Sequence, residues 1–138
     1  SLRQLKKLGI IKRYQKNKDI IVLTKIGQKK ALEFIFKDHQ ITKPKVWDKK
    51  WRMIIFDIPH EKRSIRDIVR AKLKQWNFYQ LQKSVFVYPF ECDKEIYALK
   101  HIYGLKNYLQ YVVVESIENE IDLIDHFYNL QLLTEENL

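Results

Sequence analysis

The sequence predicts an α+β chain built on a βαββαβ unit over residues 51–118, and three observations predict it. First, Trp51–Ile58 is an apolar run that carries one carboxylate, Asp57, and is stopped by Pro59. A run this rich in Ile, Phe and Trp and ended by proline reads as a buried strand. Second, Ile65, Ile68, Val69, Lys72, Leu73 and Trp76 fall on one face at helical spacings, with Lys72 the one polar interruption. Arg63, Arg66, Arg70 and Lys74 lie opposite as a basic stripe. Third, two short strand-like pieces, Phe78–Gln82 and Val85–Phe90, are joined through the turn Lys83–Ser84. A second helix and strand complete the unit. Asp93 can cap a helix running to about Lys106, with Ile96, Leu99, Ile102 and Tyr103 inward and Gly104 breaking its end. Tyr108–Glu115 is β-branched and aromatic, the last strand.

Before this unit, Ser1–Leu8 is apolar at Leu2, Leu5 and Leu8, and Gly9 closes it as a helix C-cap would. Ile10–Tyr14 and Ile20–Leu23 read as the strands of a hairpin around the basic tip Gln15–Asp19. Thr24 then caps a helix whose apolar side is Ala31, Leu32, Ile35 and Phe36. Helix, glycine, basic hairpin and helix make residues 1–36 the C-terminal part of a winged helix-turn-helix, whose first helices are expected to be missing. Residues 37–50 are polar, basic and aperiodic, hence a linker, with Trp47 expected to dock on the next domain. After the unit, residues 119–138 form an acidic C-terminal helix and tail, with Ile121, Ile124, Phe127 and Tyr128 on its apolar face.

Composition bounds the function. At 138 residues and 46% hydrophobic, with three Trp, eight Tyr and seven Phe, the chain can supply a core. Cys92 is the lone cysteine, so no disulfide forms within the chain and a cytoplasmic location is expected; the thiol reads as a small buried hydrophobe. No apolar run approaches the roughly 18 to 20 residues that cross a bilayer, and no membrane partner is expected. The net charge of +9 is unevenly spread. Residues 1–46 carry +10 and residues 47–114 carry +6, while residues 115–138 carry −7 with no Lys or Arg. That asymmetry points to a polyanion partner at the front end and an acidic end held away from it.

Two resemblances follow from these motifs. LKKLGIIKRY…IIVLTKIGQKKALEF, residues 2–36, resembles the end of bacterial winged-helix regulators. WDKKWRMIIFDIP…R…R…KLKQWNFYQLQKSVFVYP resembles the central domain of the PaaX-type repressors of phenylacetate catabolism. That domain is itself similar to the CRISPR-associated Cas-two endonucleases, which are dimeric and ferredoxin-like. The match rests on Phe56-Asp57-Ile58-Pro59, on Arg63, Arg66 and Arg70, and on Ser84-Val85-Phe86, and covers roughly residues 47–118. It implies a ferredoxin-like domain that forms a homodimer. A complete PaaX repressor has a further C-terminal domain, so an acyl-coenzyme A effector is not carried over.

The chemistry then divides in two. The resemblance to the nucleases implies that Asp57 meets its copy across a dimer and that the pair holds one Mg²⁺ or Mn²⁺. The alternative for Asp57 is structural, a carboxylate accepting N–H bonds at the start of the next helix. His60 is close in sequence and reads as polar surface. No zinc-ligand spacing, glycine-rich phosphate loop or nucleophile triad is present in the sequence. Lys12, Arg13, Lys16 and Lys18 on the hairpin suit the phosphates of duplex DNA, against the alternative of a solvated hairpin. Arg63, Arg66 and Arg70 suit either phosphate or the acidic end of a partner chain. The expected function is a PaaX-like, DNA-binding transcriptional regulator without a cofactor. Its alternatives are a metal-dependent nuclease and a non-catalytic dimerisation module.

Overall fold

A computed structural model describes residues 11–15, 20–23, 25–27, 30 and 39–138 of the chain. It divides into two compact units, residues 1–39 and 40–138.

In the first unit, β1 (Ile11–Gln15) and β2 (Ile20–Leu23) pair antiparallel, Tyr14 opposite Ile21 and Gln15 opposite Ile20. The expected hairpin is therefore present, with an irregularity between Ile11 and Arg13. Residues 25–27 and 30 are helical, where a helix was expected. The helix before Gly9 and the hairpin tip, with Lys16 and Lys18, lie outside the described residues.

The second unit holds β3 (Trp51–Phe56), a short 3₁₀ turn (His60–Lys62), α1 (Arg63–Gln75), β4 (Tyr79–Gln82) and β5 (Val85–Tyr88). It continues through α2 (Asp93–Tyr103), β6 (Leu109–Val114) and α3 (Glu120–Asn129). The sheet order is β4-β5-β3-β6 and each neighbouring pair is antiparallel. In this order the first strand of the unit is central and each helix connects strands that flank a third, which is the ferredoxin-like topology. The expected βαββαβ unit is thus the observed one, with strands one or two residues shorter than the apolar runs that announced them.

Register explains which residues are buried. Arg52, Ile54 and Phe56 of β3 share a face with Phe86 and Tyr88 of β5 and with Leu109 and Tyr111 of β6. Ile54, Phe56, Phe86 and Leu109 are buried there, with Phe56 and Phe86 stacked at 5.8 Å. Val69 and Leu73 of α1 and Ile96 and Leu99 of α2 supply buried apolar partners. The opposite face carries Trp51, Met53 and Ile55. It is closed at the Trp51 end, where Trp51 lies 4.8 Å from Trp47, 5.9 Å from Phe127 of α3, and donates its indole N–H to Glu120 Oε1. Toward the other end Ile55 is exposed.

Several expectations need correction. Asp93 is the first helical residue of α2, Cys92 occupies the cap position, and no side chain caps that helix. Gly104 does end it, in the left-handed conformation at φ 64° that glycine alone adopts cheaply. On α1, Lys72 is not an interruption but part of the buried face: its Nζ lies 4.6 Å from the centre of the Trp76 ring, a cation on an aromatic face. Ile68, expected inward, is exposed. On α3 the inward residues are Leu123 and Phe127, whereas Ile121 is 76% and Tyr128 46% exposed. Within residues 37–50, read as a linker, Trp47 docks as expected. Trp47 is 4% exposed, its backbone N–H reaches the Asn137 carbonyl at 2.7 Å, and its indole N–H donates to Lys50 O. The C-terminal end is likewise folded in, with Leu133 and Asn137 buried.

Candidate functional site

The end of β3 gathers most of the residues singled out in the second unit. Pro59 forces the chain out of the sheet, and the 3₁₀ turn brings it into α1 within a few residues. Asp57 stays attached to the sheet by its backbone, donating its N–H to Tyr108 O at 2.8 Å. Its side chain is exposed, and among the described residues no hydrogen bond or ion pair reaches its carboxylate. Neither the 3₁₀ turn nor α1 has a side-chain cap bond, so Asp57 does not cap either one.

Cations surround this end of the sheet. Lys62 Nζ lies 5.6 Å from the Tyr108 ring, and Arg70 stacks on the Phe56 ring at 5.8 Å, in each case next to a residue bonded to Asp57 through the backbone. His60 Nε2 and Arg63 Nη1 are 3.1 Å apart, within hydrogen-bonding distance. Arg66 is partly buried and makes a long contact, 3.8 Å, to its neighbour Asp67. Arg63, Arg66, Arg70 and Lys74 therefore run along one side of α1, and among the described residues the one ion pair they make is the long contact of Arg66 to Asp67. A stripe of this kind, with Arg70 resting on the Phe56 ring and few carboxylates beside it, presents positive charge to a polyanion. Lys12 and Arg13 fall on β1, in the other unit.

Among the described residues no three His, Cys, Asp or Glu side chains stand close enough to hold a metal ion. One carboxylate is too few oxygens for a hard divalent cation, so a cation at Asp57 would need carboxylates from a second copy. Cys92 is buried, and burial pushes its thiol up to about 12, so it is unreactive near neutral pH. No helix among the described residues is long and apolar enough to cross a membrane.

Two further polar features carry structure instead. The Arg52 guanidinium, missed in the sequence because it interrupts an apolar strand, is buried and donates to Asp48 Oδ1 and to the carbonyls of Lys50 and Pro89. That bond holds the Asp48 carboxyl below the usual carboxylate range. Together they pin residues 48–50 to the link between β5 and α2. The adjoining cleft of about 470 Å³ is lined by Asp48, Glu91, Asp93 and Glu95 against Arg52 and Lys94. An excess of carboxylates makes it a poor receptor for phosphate.

Fold order, the FDIP end of β3 and the arginine-bearing α1 agree with one known family. The model for the PaaX protein central Cas2-like domain matches residues 44–123. The chain belongs to this family. The match begins ahead of β3, taking in Trp47 and Asp48, and ends at Leu123 in α3, so the PaaX central domain here includes the docked segment before the sheet. No curated protein matches the chain.

Proposed function

We propose that the chain is a PaaX-like, DNA-binding transcriptional regulator in which the β1–β2 hairpin grips duplex phosphates and the central unit joins two copies. The observation that supports it best is the presence, in one chain, of the PaaX central domain and an antiparallel hairpin carrying Lys12 and Arg13, with Lys16 and Lys18 in its connection. Lysines on a hairpin follow the phosphate backbone, which gives affinity and no sequence information. The α1 stripe of Arg63, Arg66 and Arg70 adds charge of the same sign. A dimer then sets the spacing of two half-sites.

The experiment is a fluorescence-anisotropy titration of labelled duplex at several salt concentrations. Binding should weaken steeply with salt. Lys16→Ala with Lys18→Ala should weaken every duplex about equally and reduce the salt slope by about 1 for each phosphate that is no longer neutralised. Absence of duplex binding at low salt rejects the proposal.

A second reading is favoured by one observation, the exposed and unbonded Asp57 carboxylate at the end of β3. Two such carboxylates in a dimer would hold Mg²⁺ or Mn²⁺, which supplies Lewis acidity for phosphodiester cleavage. This reading needs the two Asp57 residues to meet.

A further inference from the structure

α3 carries more apolar surface than its own docking uses. Leu123 and Phe127 are buried, Phe127 with the rings of Trp51 and Tyr88 each 5.9 Å away. Ile121, Ile124 and Tyr128 follow the three, four and seven spacing of a second helical stripe. On that stripe Ile121 is 76% exposed, Tyr128 is exposed and Ile124 is half-buried. One apolar stripe is enough to seat a helix on its sheet. The second is surplus to the fold, and a contiguous exposed apolar strip is a mark of an interaction surface.

The stripe runs into a hollow. Tyr128 also lines a depression of about 550 Å³ beyond the end of α3, with Gln131, Leu133, Thr134, Glu135 and Lys43. The backbone makes this hollow by leaving the helix abruptly. Leu130 N–H still reaches His126 O, then Gln131 turns left-handed at φ 63° and Leu132 N–H doubles back to Phe127 O at 2.9 Å. Lys43 Nζ holds one wall by donating to Gln131 O at 2.9 Å. Stripe and hollow belong to the same compact unit, so they form one surface.

Charge indicates the occupant. Residues 115–138 hold seven carboxylates and no Lys or Arg. With a helical step of about 100° per residue, Asp122 and Asp125 border the stripe on one flank and Glu120 on the other. Glu120 Oε1 accepts the Trp51 indole N–H, yet among the described residues none of the seven carboxylates is in an ion pair. Such a face does not suit its own copy, because α3 against α3 sets acid against acid. It repels the phosphates of nucleic acid for the same reason.

We propose that α3 is the docking face for a basic amphipathic helix of a partner protein. The apolar row of that helix lies along Ile121, Ile124 and Tyr128, and its end enters the hollow beyond Tyr128. Lysines or arginines beside the row meet Asp122 and Asp125. Anchors at such spacings are how a helix reads an apolar groove, and the flanking charges set which helices are admitted. Ile121 and Tyr128 are seven residues apart, about 10.5 Å, so a partner helix of about three turns covers stripe and hollow together. A contact of this size belongs to the small, transient class of interfaces. None of its residues is among those proposed to contact DNA.

The test is a fluorescence-anisotropy titration of the full chain against two labelled peptides of about five helical turns. Both carry leucine at the three, four and seven spacing; one has lysine at its other positions and the second has glutamate. The lysine peptide should bind in the micromolar range and the glutamate peptide should not. Ile121→Ser with Tyr128→Ser should weaken the lysine peptide at least about tenfold, the loss of buried apolar contact. Ile121→Ser alone, at a side chain that is mostly exposed, should weaken it about threefold or more and carries the test if the pair does not fold by circular dichroism. Asp122→Lys with Asp125→Lys should weaken the lysine peptide and admit the glutamate one. Tyr97→Ser, at an exposed aromatic on α2, should change nothing. No binding of the lysine peptide, or binding that the α3 changes leave intact, overturns the proposal. Self-association of the chain that Ile121→Ser abolishes overturns it too, since the occupant is then a second copy. Duplex titration of the serine variants should match the parent; a parent that binds no duplex rejects the regulator reading and leaves this one standing.

Discussion

Trp47→Ala tests whether the segment before β3 belongs to the folded unit. The indole is 4% exposed, meets Trp51 edge-on at 4.8 Å, and donates its N–H to Lys50 O. Burying a side chain of about 200 Å² at about 25 cal/mol per Å² sets an upper bound of about 5 kcal/mol. Some collapse around the hole reduces this, and large-to-small changes of buried aromatics generally cost about 3 to 5 kcal/mol. We expect a loss of about 3 to 4 kcal/mol in urea denaturation, with an unchanged denaturant slope. Trp51 and Trp76 remain as fluorescent reporters, and both belong to the same unit. Val46→Ala, one residue away on an exposed side chain, should change stability by less than about 0.5 kcal/mol. A Trp47→Ala loss below about 1 kcal/mol would refute the reasoning and return residues 40–50 to the status of a linker.

Three further outcomes are expected. Asp48→Ala deprives the buried Arg52 of its partner; because the Asp48 side chain is 45% exposed and water can replace part of the bond, urea melts should show a loss of about 1 to 2 kcal/mol. That contribution is present above the ordinary carboxylate pKa of about 4 and fades as pH falls through the lower folded value, so the variant should lose less stability than the parent below pH 4. His126 is held below the ordinary imidazole value by burial, against an opposing bond to the Asn77 carbonyl, so the unfolded chain binds its proton first and stability should decline as pH falls below about 6.5; His126→Gln should flatten that part of a pH series of melts. Asp57→Ala removes an exposed carboxylate that caps nothing and should shift the melt by less than about 0.5 kcal/mol.

The strands and helices of the central unit were legible because their apolar residues keep a clean period. Trp51–Phe56 and Leu109–Val114 alternate or run apolar up to a proline or a charge, and Gly104 marks a helix end that no other residue makes as cheaply. Periodicity fails where tertiary contacts choose the face. On α3 the expected face of Ile121, Ile124, Phe127 and Tyr128 competes with a second that joins Phe127 to Leu123. The rings of Trp51 and Tyr88 lie 5.9 Å from Phe127 and decide for the second. Lys72 and Arg52 were misread or missed for the same physical reason. A long side chain can bury its stem while its charge rests on an aromatic ring or on carbonyls, and no local pattern announces those partners. Segment 40–50 lacks periodicity because it is held by single anchors, Trp47 and Asp48, instead of by a repeating face. At the candidate site, Asp57 and the α1 arginines were legible as a group from the FDIP end and the helical spacing. That the Asp57 carboxylate accepts no capping bond was not, since Pro59 and the 3₁₀ turn redirect the chain before a helix N-terminus can reach it.

The measurement that bears most directly on the proposed function is one gel-shift experiment run with and without divalent metal. A labelled duplex is incubated with the full chain at low salt, with either chelator or Mg²⁺ and Mn²⁺, then analysed on native and denaturing gels. The account predicts a retarded complex that added salt dissolves, and a duplex that is recovered uncut under both conditions. Metal-dependent cleavage that disappears in Asp57→Ala, or a duplex that is never retarded, would contradict it.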